Sequence, residues 1–336
     1  MTDPTRRLMP VVRLAPAKIN LTLAVVGRRA DGFHDLHSVF LPLDLADRLS
    51  LAPSGSGGRD SLHVDGPDTG PLAANLVLRG IAAARAAIGE GPGRPATPPL
   101  AARLEKRIPV AAGLAGGSSD GAAAFDGALE AWGAELDPDR RLRAAASIGS
   151  DVPFFLAGGP ALIEGRGERV TPLAPLRGAP GVLLVTPAVP VRTPDVFAAF
   201  DATRNGGDGS VRMTSAHLAQ EMAGGLSAGD LVARMGVLAA ANDLLAAAVL
   251  VEPRLVGLRR ALARTLGRAI GLSGSGPTLW TLYPARDEAE AAAAAVRAAV
   301  GEGTIPVIGD APPSIIATTI RIDRPPPATS QEESGS

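Results

Sequence analysis

Apolar and polar residues alternate from Arg13 to Gly27, where Ile19, Leu21 and Leu23 interleave with Lys18, Asn20 and Thr22. A period of two predicts a strand with one buried face, and it sets Lys18 and Asn20 side by side on the polar face. The turn at Asp31-Gly32 leads to a second strand near Ser38–Leu43, and short strands are expected at Asp47–Ala52, Ser61–Val64 and Leu100–Ile108. Helical spacing takes over at Asn75–Ile88, with Leu76, Ile81 and Ala84 on one side, and again from Ala122 to Trp132. Asp137-Pro138 opens a further helix with Asp137 as its cap. Strands follow at Gly159–Glu164 and Glu168–Thr171, then a strand without alternation, and so buried on both faces, at Val182–Val185. Beyond it the pattern is mostly helical: Thr193–Phe200, His217–Met222, Leu231–Leu250, Pro253–Leu266 and Arg286–Val300. Strand-like residues flank a glycine cluster within 269–283, and a last strand covers Pro313–Ile322. Residues 1–12 read as a flexible leader in which Met9 is an alternative start, 205–210 as a mobile loop, and 323–336 as a disordered tail.

Composition narrows the function classes. The chain has 336 residues, 46% hydrophobic and 20% charged, enough for two lobes at roughly 100–200 residues per domain. A net charge of −1 argues against nucleic acid or an acidic membrane as the main partner. The absence of cysteine removes disulfides, thiolate nucleophiles and cysteine-based zinc sites. No apolar run reaches the roughly 18 residues of a membrane span. Arg6 and Arg7 are not followed by a signal-peptide core, so a cytoplasmic location is expected.

The chemistry concentrates in Pro109–Ser119, Pro-Val-Ala-Ala-Gly-Leu-Ala-Gly-Gly-Ser-Ser. Glycines allow close backbone approach, and Ser118, Ser119 and Asp120 stand where a helix is expected to begin. A glycine-rich loop feeding a helix start presents free N–H groups and a positive dipole end, which suits phosphate. No lysine follows the glycines and the spacing is not G-x-G-x-x-G, so both common nucleotide loops are excluded. A plain turn before an alanine-rich core helix is the other reading. Lys18 is either a solvated strand lysine or points into a polar cleft. Asp151, between a Gly-Ser turn and Val-Pro-Phe-Phe, is a helix cap or a functional acid facing Lys18. Phe33 and His34 suit stacking and hydrogen bonding to a planar ring, or form an ordinary loop. His34 and His37 lack a third ligand at useful spacing, so a metal site is rejected; His217 is read as a surface residue. Gly271, Gly274 and Gly276 form a tight hairpin, or press backbone against the first loop.

Three blocks, Pro16-Ala-Lys-Ile-Asn20, Pro109–Ser119 and Gly271–Gly276, resemble the GHMP kinase superfamily. Finer details carry the resemblance further: Arg29-Ala-Asp-Gly-Phe-His-Asp-Leu36, Gly149-Ser-Asp-Val-Pro-Phe154, Glu164-Gly-Arg-Gly-Glu168 and Asn242-Asp243. They point to the kinases that phosphorylate the 2-hydroxyl of a cytidine-diphosphate-linked methylerythritol on the non-mevalonate route to isoprenoid precursors. The resemblance implies a two-lobe α+β / α/β protein, with a ribosomal-protein-S5-like N-terminal lobe at 13–175 and a C-terminal α+β lobe at 176–322. It implies ATP with Mg²⁺, the phosphates lying on Pro109, Val110, Ala111, Ala112, Gly113, Leu114, Ala115, Gly116, Gly117, Ser118 and Ser119. Lys18 and Asp151 map onto the catalytic pair, Asn20, Phe33 and His34 onto the substrate-reading residues, and Gly274, Ser275 and Gly276 onto the cleft wall. Ser119 is the candidate metal ligand, the partner is a small cytidine diphosphate substrate, and a monomer or weak homodimer is expected. The sequence departs from the pattern at Phe33, where many members carry Tyr. Ala115 and Gly121 also depart: alanine at 115 is expected to hold negative φ, and Gly121 to weaken the first helical turn by up to about 1 kcal/mol.

Overall fold

The computed structural model describes residues 10–54, 58–89, 93–203 and 209–322. The leader through Met9, the loop expected at 205–208 and the tail from 323 lie outside the described residues. The first half of the chain forms β1 (Val11–Asn20), β2 (Ala24–Arg28), β3 (His34–Pro53), β4 (Ser61–Asp65), α1 (Leu76–Ile88) and β5 (Leu100–Glu105). It continues through α2 (Gly116–Trp132), α3 (Pro138–Ile148), α4 (Val152–Ala157), β6 (Ala161–Gly165) and β7 (Arg169–Pro172). β1 starts at Val11, inside the expected leader.

β3 is the spine of this half. The two strands expected at 38–43 and 47–52 are one 20-residue strand, because β1 covers it continuously from Val11↔Leu51 to Asn20↔Phe40, with a bulge between Pro16 and Lys18. β2, β5 and β6 also pair with β3, giving a seven-stranded sheet among the described residues. α1 and α2 pack on it. Gly121, expected only to weaken α2, serves this crossing: a Cβ there would lie 3.1 Å from the Leu76 Cβ, and one at Gly80 would strike the Gly121 carbonyl.

The second sheet has the order β11-β8-β10-β9, from β8 (Gly181–Thr186), β9 (Gly271–Leu272), β10 (Leu279–Tyr283) and β11 (Ser314–Thr319). Between them come α5 (Thr193–Thr203), α6 (Ser210–Ala223), α7 (Ala228–Ala233), α8 (Met235–Leu238), α9 (Leu245–Val251), α10 (Arg254–Leu266) and α11 (Arg286–Gly301). The continuous helix expected over Leu231–Leu250 is interrupted at Arg234, between α7 and α8, and again before α9, where Asn242 and Asp243 leave helical geometry to bind other chain segments. Asn242 donates to the carbonyls of Leu272 and Gly274 at 3.0 and 2.9 Å. The Asp243 carboxylate accepts from the Val25 amide at 3.0 Å. Leu23 and Val25 are thereby drawn into the apolar core of the second half, with Leu183, Leu272 and Leu279. The end of the chain returns to β3: Ile320 bridges to Leu43, and the Arg321 amide donates to the Pro42 carbonyl at 2.9 Å.

Candidate active site

A cleft of about 530 Å³ opens between the two glycine loops. β1 carries Lys18 and Asn20 into it on one strand face, as their spacing dictates. The Lys18 ammonium donates to Asn20 Oδ1 at 2.7 Å and lies 4.4 Å from the centre of the Phe40 ring. Asn20 in turn donates to Ser38 Oγ at 3.1 Å. Asp151 Oδ2 stands 3.7 Å from the Lys18 ammonium. It occupies the cap position of α4, yet its side chain makes no capping hydrogen bond. Lys18 is buried, and burial draws its pKa below the ordinary lysine value against the opposing pull of Asp151.

The glycine loop leaves its helix uncapped. α2 begins at Gly116, two residues before the expected Ser118–Asp120, and the cap position is Ala115 with no side-chain hydrogen bond. Ala115 has φ +55°, not the negative value expected, and Ala111 has φ +54°. The Ser119 amide already donates to the Ala115 carbonyl at 3.0 Å. The amides without an intrahelical partner are therefore those of Gly116, Gly117 and Ser118, all three lining the cleft. A positive-φ cap whose methyl cannot hydrogen-bond leaves them unpaired, where the helix dipole favours an anion.

The second glycine loop is pressed against the first. The Ser273 hydroxyl donates to the Gly113 carbonyl at 3.0 Å, and the Thr278 amide donates to the Ala112 carbonyl at 3.3 Å. A side chain at Gly113 (φ +77°) would strike the Ser273 carbonyl, so only glycine fits this contact. Residues 271–276 thus form both a hairpin entry and the cleft wall: Gly274, Ser275 and Gly276 line the cleft. A Cβ on Gly274 would lie 3.4 Å from Asn20 Oδ1.

The sequence reading missed a cluster beneath the loop. The buried Lys106 ammonium binds Asp47 at 2.5 Å and Asp120 at 2.8 Å. Asp47 also accepts from the amides of Arg107 and Ile108 at 2.5 and 2.9 Å. Burial pulls Lys106 down, but the carboxylates of Asp120 and Asp47 outweigh it and leave its pKa raised. Burial pushes Asp120 up to about 7; Lys106 opposes that shift and Asp47 adds to it. The available signal was Lys106 at the end of one strand with Asp120 inside an alanine-rich helix, two charges at positions whose neighbours are buried.

Four expected site residues lie elsewhere. Leu114 is buried in the apolar core with Ile19 and Leu41, because its side chain falls on the sheet side of the loop. Ser119 lies outside the cleft lining: it lines another cavity, and its buried hydroxyl has no hydrogen-bond partner among the described residues. That placement corrects its assignment as a metal ligand. Phe33 is 48% exposed, with the Arg166 guanidinium 3.6 Å from its ring centre, and is absent from the cleft lining. His34 is held by Asp201 at 2.7 Å and stacks on Phe197 at 4.7 Å. Phe197, not His34, is the ring that reaches the cleft.

Models of two families match the chain: the GHMP kinases N terminal domain over residues 75–159, and the GHMP kinases C terminal domain over 223–302. The 4-diphosphocytidyl-2-C-methyl-D-erythritol kinase of Pelotomaculum thermopropionicum is 38% identical over 289 residues, covering 86% of this chain and 94% of that protein. The enzyme of the same description from Rhodopseudomonas palustris is 40% identical over 301 residues, covering 87% and 96%. The chain belongs to the GHMP kinases. A crystal structure of 4-(cytidine 5'-diphospho)-2C-methyl-D-erythritol kinase superposes with a TM-score of 0.66 at 33% identity, over 92% of this chain and 99% of that one. The homoserine kinase of Cytophaga hutchinsonii, at 17% identity and a TM-score of 0.67, shares the fold. The two sheets and their helices are thus the two lobes of a GHMP kinase, an ATP-using fold.

Proposed function

We propose that the chain transfers the γ-phosphoryl group of ATP to the 2-hydroxyl of 4-diphosphocytidyl-2-C-methyl-D-erythritol, in non-mevalonate isoprenoid precursor biosynthesis. The substrate is that of its relatives at 38–40% identity. The observation that carries the chemistry is the Lys18–Asp151 pair, 3.7 Å apart, in one cleft with the free amides of Gly116, Gly117 and Ser118. In this reading the lobes 13–175 and 176–322 enclose the substrates.

Phosphoryl transfer needs in-line positioning, charge neutralisation and removal of the hydroxyl proton. Asp151 is freed from capping and takes that proton. Lys18 stands beside Asp151 and faces the charge that develops between donor and acceptor. Asn20 fixes the Lys18 ammonium, and Gly274 leaves room for both. The uncapped start of α2 holds the β- and γ-phosphates, while Phe197 offers an apolar face to the substrate with His34 and Asp201 behind it. Phe33 and His34 then act on the cytidine end from outside the cleft lining. Among the described residues no group of three or more His, Asp or Glu could hold a metal ion. Mg²⁺ would therefore be carried by the phosphates, neutralising their charge, with Ser118 the loop serine on the cleft side.

The test is ADP release with ATP, Mg²⁺ and 4-diphosphocytidyl-2-C-methyl-D-erythritol, run beside mevalonate and homoserine. Turnover confined to the cytidylylated alcohol is expected. Turnover with mevalonate or homoserine in its place would overturn the substrate and leave the kinase assignment standing.

A further inference from the structure

Ser119 leads to a second site. Ser119, Ala122, Ala123 and Asp126 share one face of α2 at i, i+3, i+4, i+7 spacing, turned away from the cleft residues Ser118 and Asp120. They line a separate cavity of about 260 Å³. β1 contributes Arg13 and Pro16 to its lining, α4 contributes Phe154 and Phe155, and Arg321 comes from beyond β11. An apolar cavity of about 150 Å³ accepts benzene, so this one has room for a ring and a short polar chain.

Its lining carries unspent hydrogen-bond donors. The Ser119 hydroxyl is buried without a partner, and so is Arg13 Nε, although another nitrogen of Arg13 pairs with Glu130. The Arg321 side chain is half-buried and makes no ion pair or hydrogen bond among the described residues. Asp126, the acid in the lining, is already held by Arg141 at 2.7 Å. A buried donor left unmade is costly. What completes this set is an acceptor-rich head on an apolar body.

We propose that the cavity is a second ligand site, taking a small organic anion whose carboxylate or phosphate meets the Arg13 and Arg321 guanidinium groups, with the Ser119 hydroxyl rotating out to join them, while its apolar part lies against Phe154, Phe155 and Ala123. Its lining elements are those that carry the cleft: α2 begins at Gly116, α4 follows Asp151, and β1 holds Lys18. A ligand that prefers one spacing of these three elements changes nucleotide affinity, and nucleotide changes its affinity by the same factor. The site rests on its own geometry; its effect on turnover rests on the kinase reading above.

The experiment titrates 3-phenylpropionate and phenyl phosphate into full-length protein carrying ¹³C-methyl alanine. Saturable shifts at Ala122 and Ala123, with a millimolar dissociation constant, are expected for one or both probes, and the stronger of the two identifies the head group. The shifts persist in saturating ADP, which moves the loop alanines Ala111 and Ala115 instead. Ala123→Leu fills the cavity and abolishes them. Arg321→Gln, at a half-buried position, weakens binding about five- to tenfold and carries the test if Ala123→Leu does not fold. No saturable shift for either probe up to about 10 mM, displacement by ADP, or unaltered binding in Arg321→Gln would overturn the site. Equal ADP affinity with and without bound probe would overturn the coupling. Absence of ADP shifts at Ala111 and Ala115 would count against the kinase reading alone, because the cavity shifts do not depend on it.

Discussion

Two buried lysines line the same cleft and are built in opposite ways. Lys106 is closed off by two carboxylates at 2.5 and 2.8 Å, and its pKa is raised because those charges outweigh burial. Lys18 has a single carboxylate at 3.7 Å, on a residue whose side chain is 29% exposed, and burial prevails, so its pKa is lowered. The first arrangement spends its charge inside the protein and fixes the loop to the sheet. The second leaves charge unspent. A long ion pair with its lysine buried is weak support for a fold, but it leaves both groups free to meet an incoming hydroxyl and phosphate.

Removing the acid from the loose pair should break the comparison most sharply. Asp151→Asn is expected to lower kcat by about 10²–10⁴-fold with ATP affinity nearly unchanged, read by ADP release and by nucleotide titration. A variant turning over at the wild-type rate would reduce Asp151 to the residue that precedes α4. Lys106→Met should act on the fold instead. Two buried carboxylates lose their counter-charge, at a cost of about 3–5 kcal/mol, and urea unfolding measures it; an unchanged midpoint would sink the structural role.

Asp120→Asn sharpens the contrast through pH. The folded pKa of Asp120, about 7, lies above the unfolded value of about 3.9. Between those values the native state binds more protons than the unfolded state, so this group makes stability fall as pH rises through the window and contributes no further slope above it. The wild-type minus variant difference in unfolding free energy should therefore decline from about pH 4 to 7 and level off beyond. A flat difference would mean Asp120 is already ionised at low pH. The smallest effect is expected from Phe40→Leu, which removes the ring 4.4 Å from the Lys18 ammonium. A cation–π contact is worth about 0.5–2 kcal/mol, so kcat should drop by no more than roughly thirtyfold. A loss as large as that of Asp151→Asn would show that the ring, not Asn20, positions the ammonium.

Much of this architecture was legible in the residues. Alternation around Lys18 placed it beside Asn20, and their side chains are hydrogen-bonded. Periodicity found α1 and α10, and the Asp137-Pro138 start signal found α3. What was hidden depends on contacts between distant segments. The Asn242-Asp243 turn carries a local signal, the Leu244 amide donating to Asn242 Oδ1 at 2.9 Å, but where the turn docks is set by carbonyls thirty residues away. The start of α2 was misplaced because serine and aspartate are good caps, whereas this loop turns at Ala115 in the left-handed region. The face of Ser119 followed from that shift. Phe33 and His34 attracted attention as an aromatic pair, yet Arg166 and Asp201, far along the chain, decide where each ring goes.

The polypeptide passes between the lobes more than once. It leaves the first sheet after Pro172 and enters the second at Gly181; its far end then comes home, with Thr318 Oγ1 accepting from the Leu45 amide at 3.0 Å and Ile320 and Arg321 stitched to Leu43 and Pro42. The lobes are therefore tied by both an outgoing and a returning segment, and trimming the chain before Thr318 would remove the returning tie.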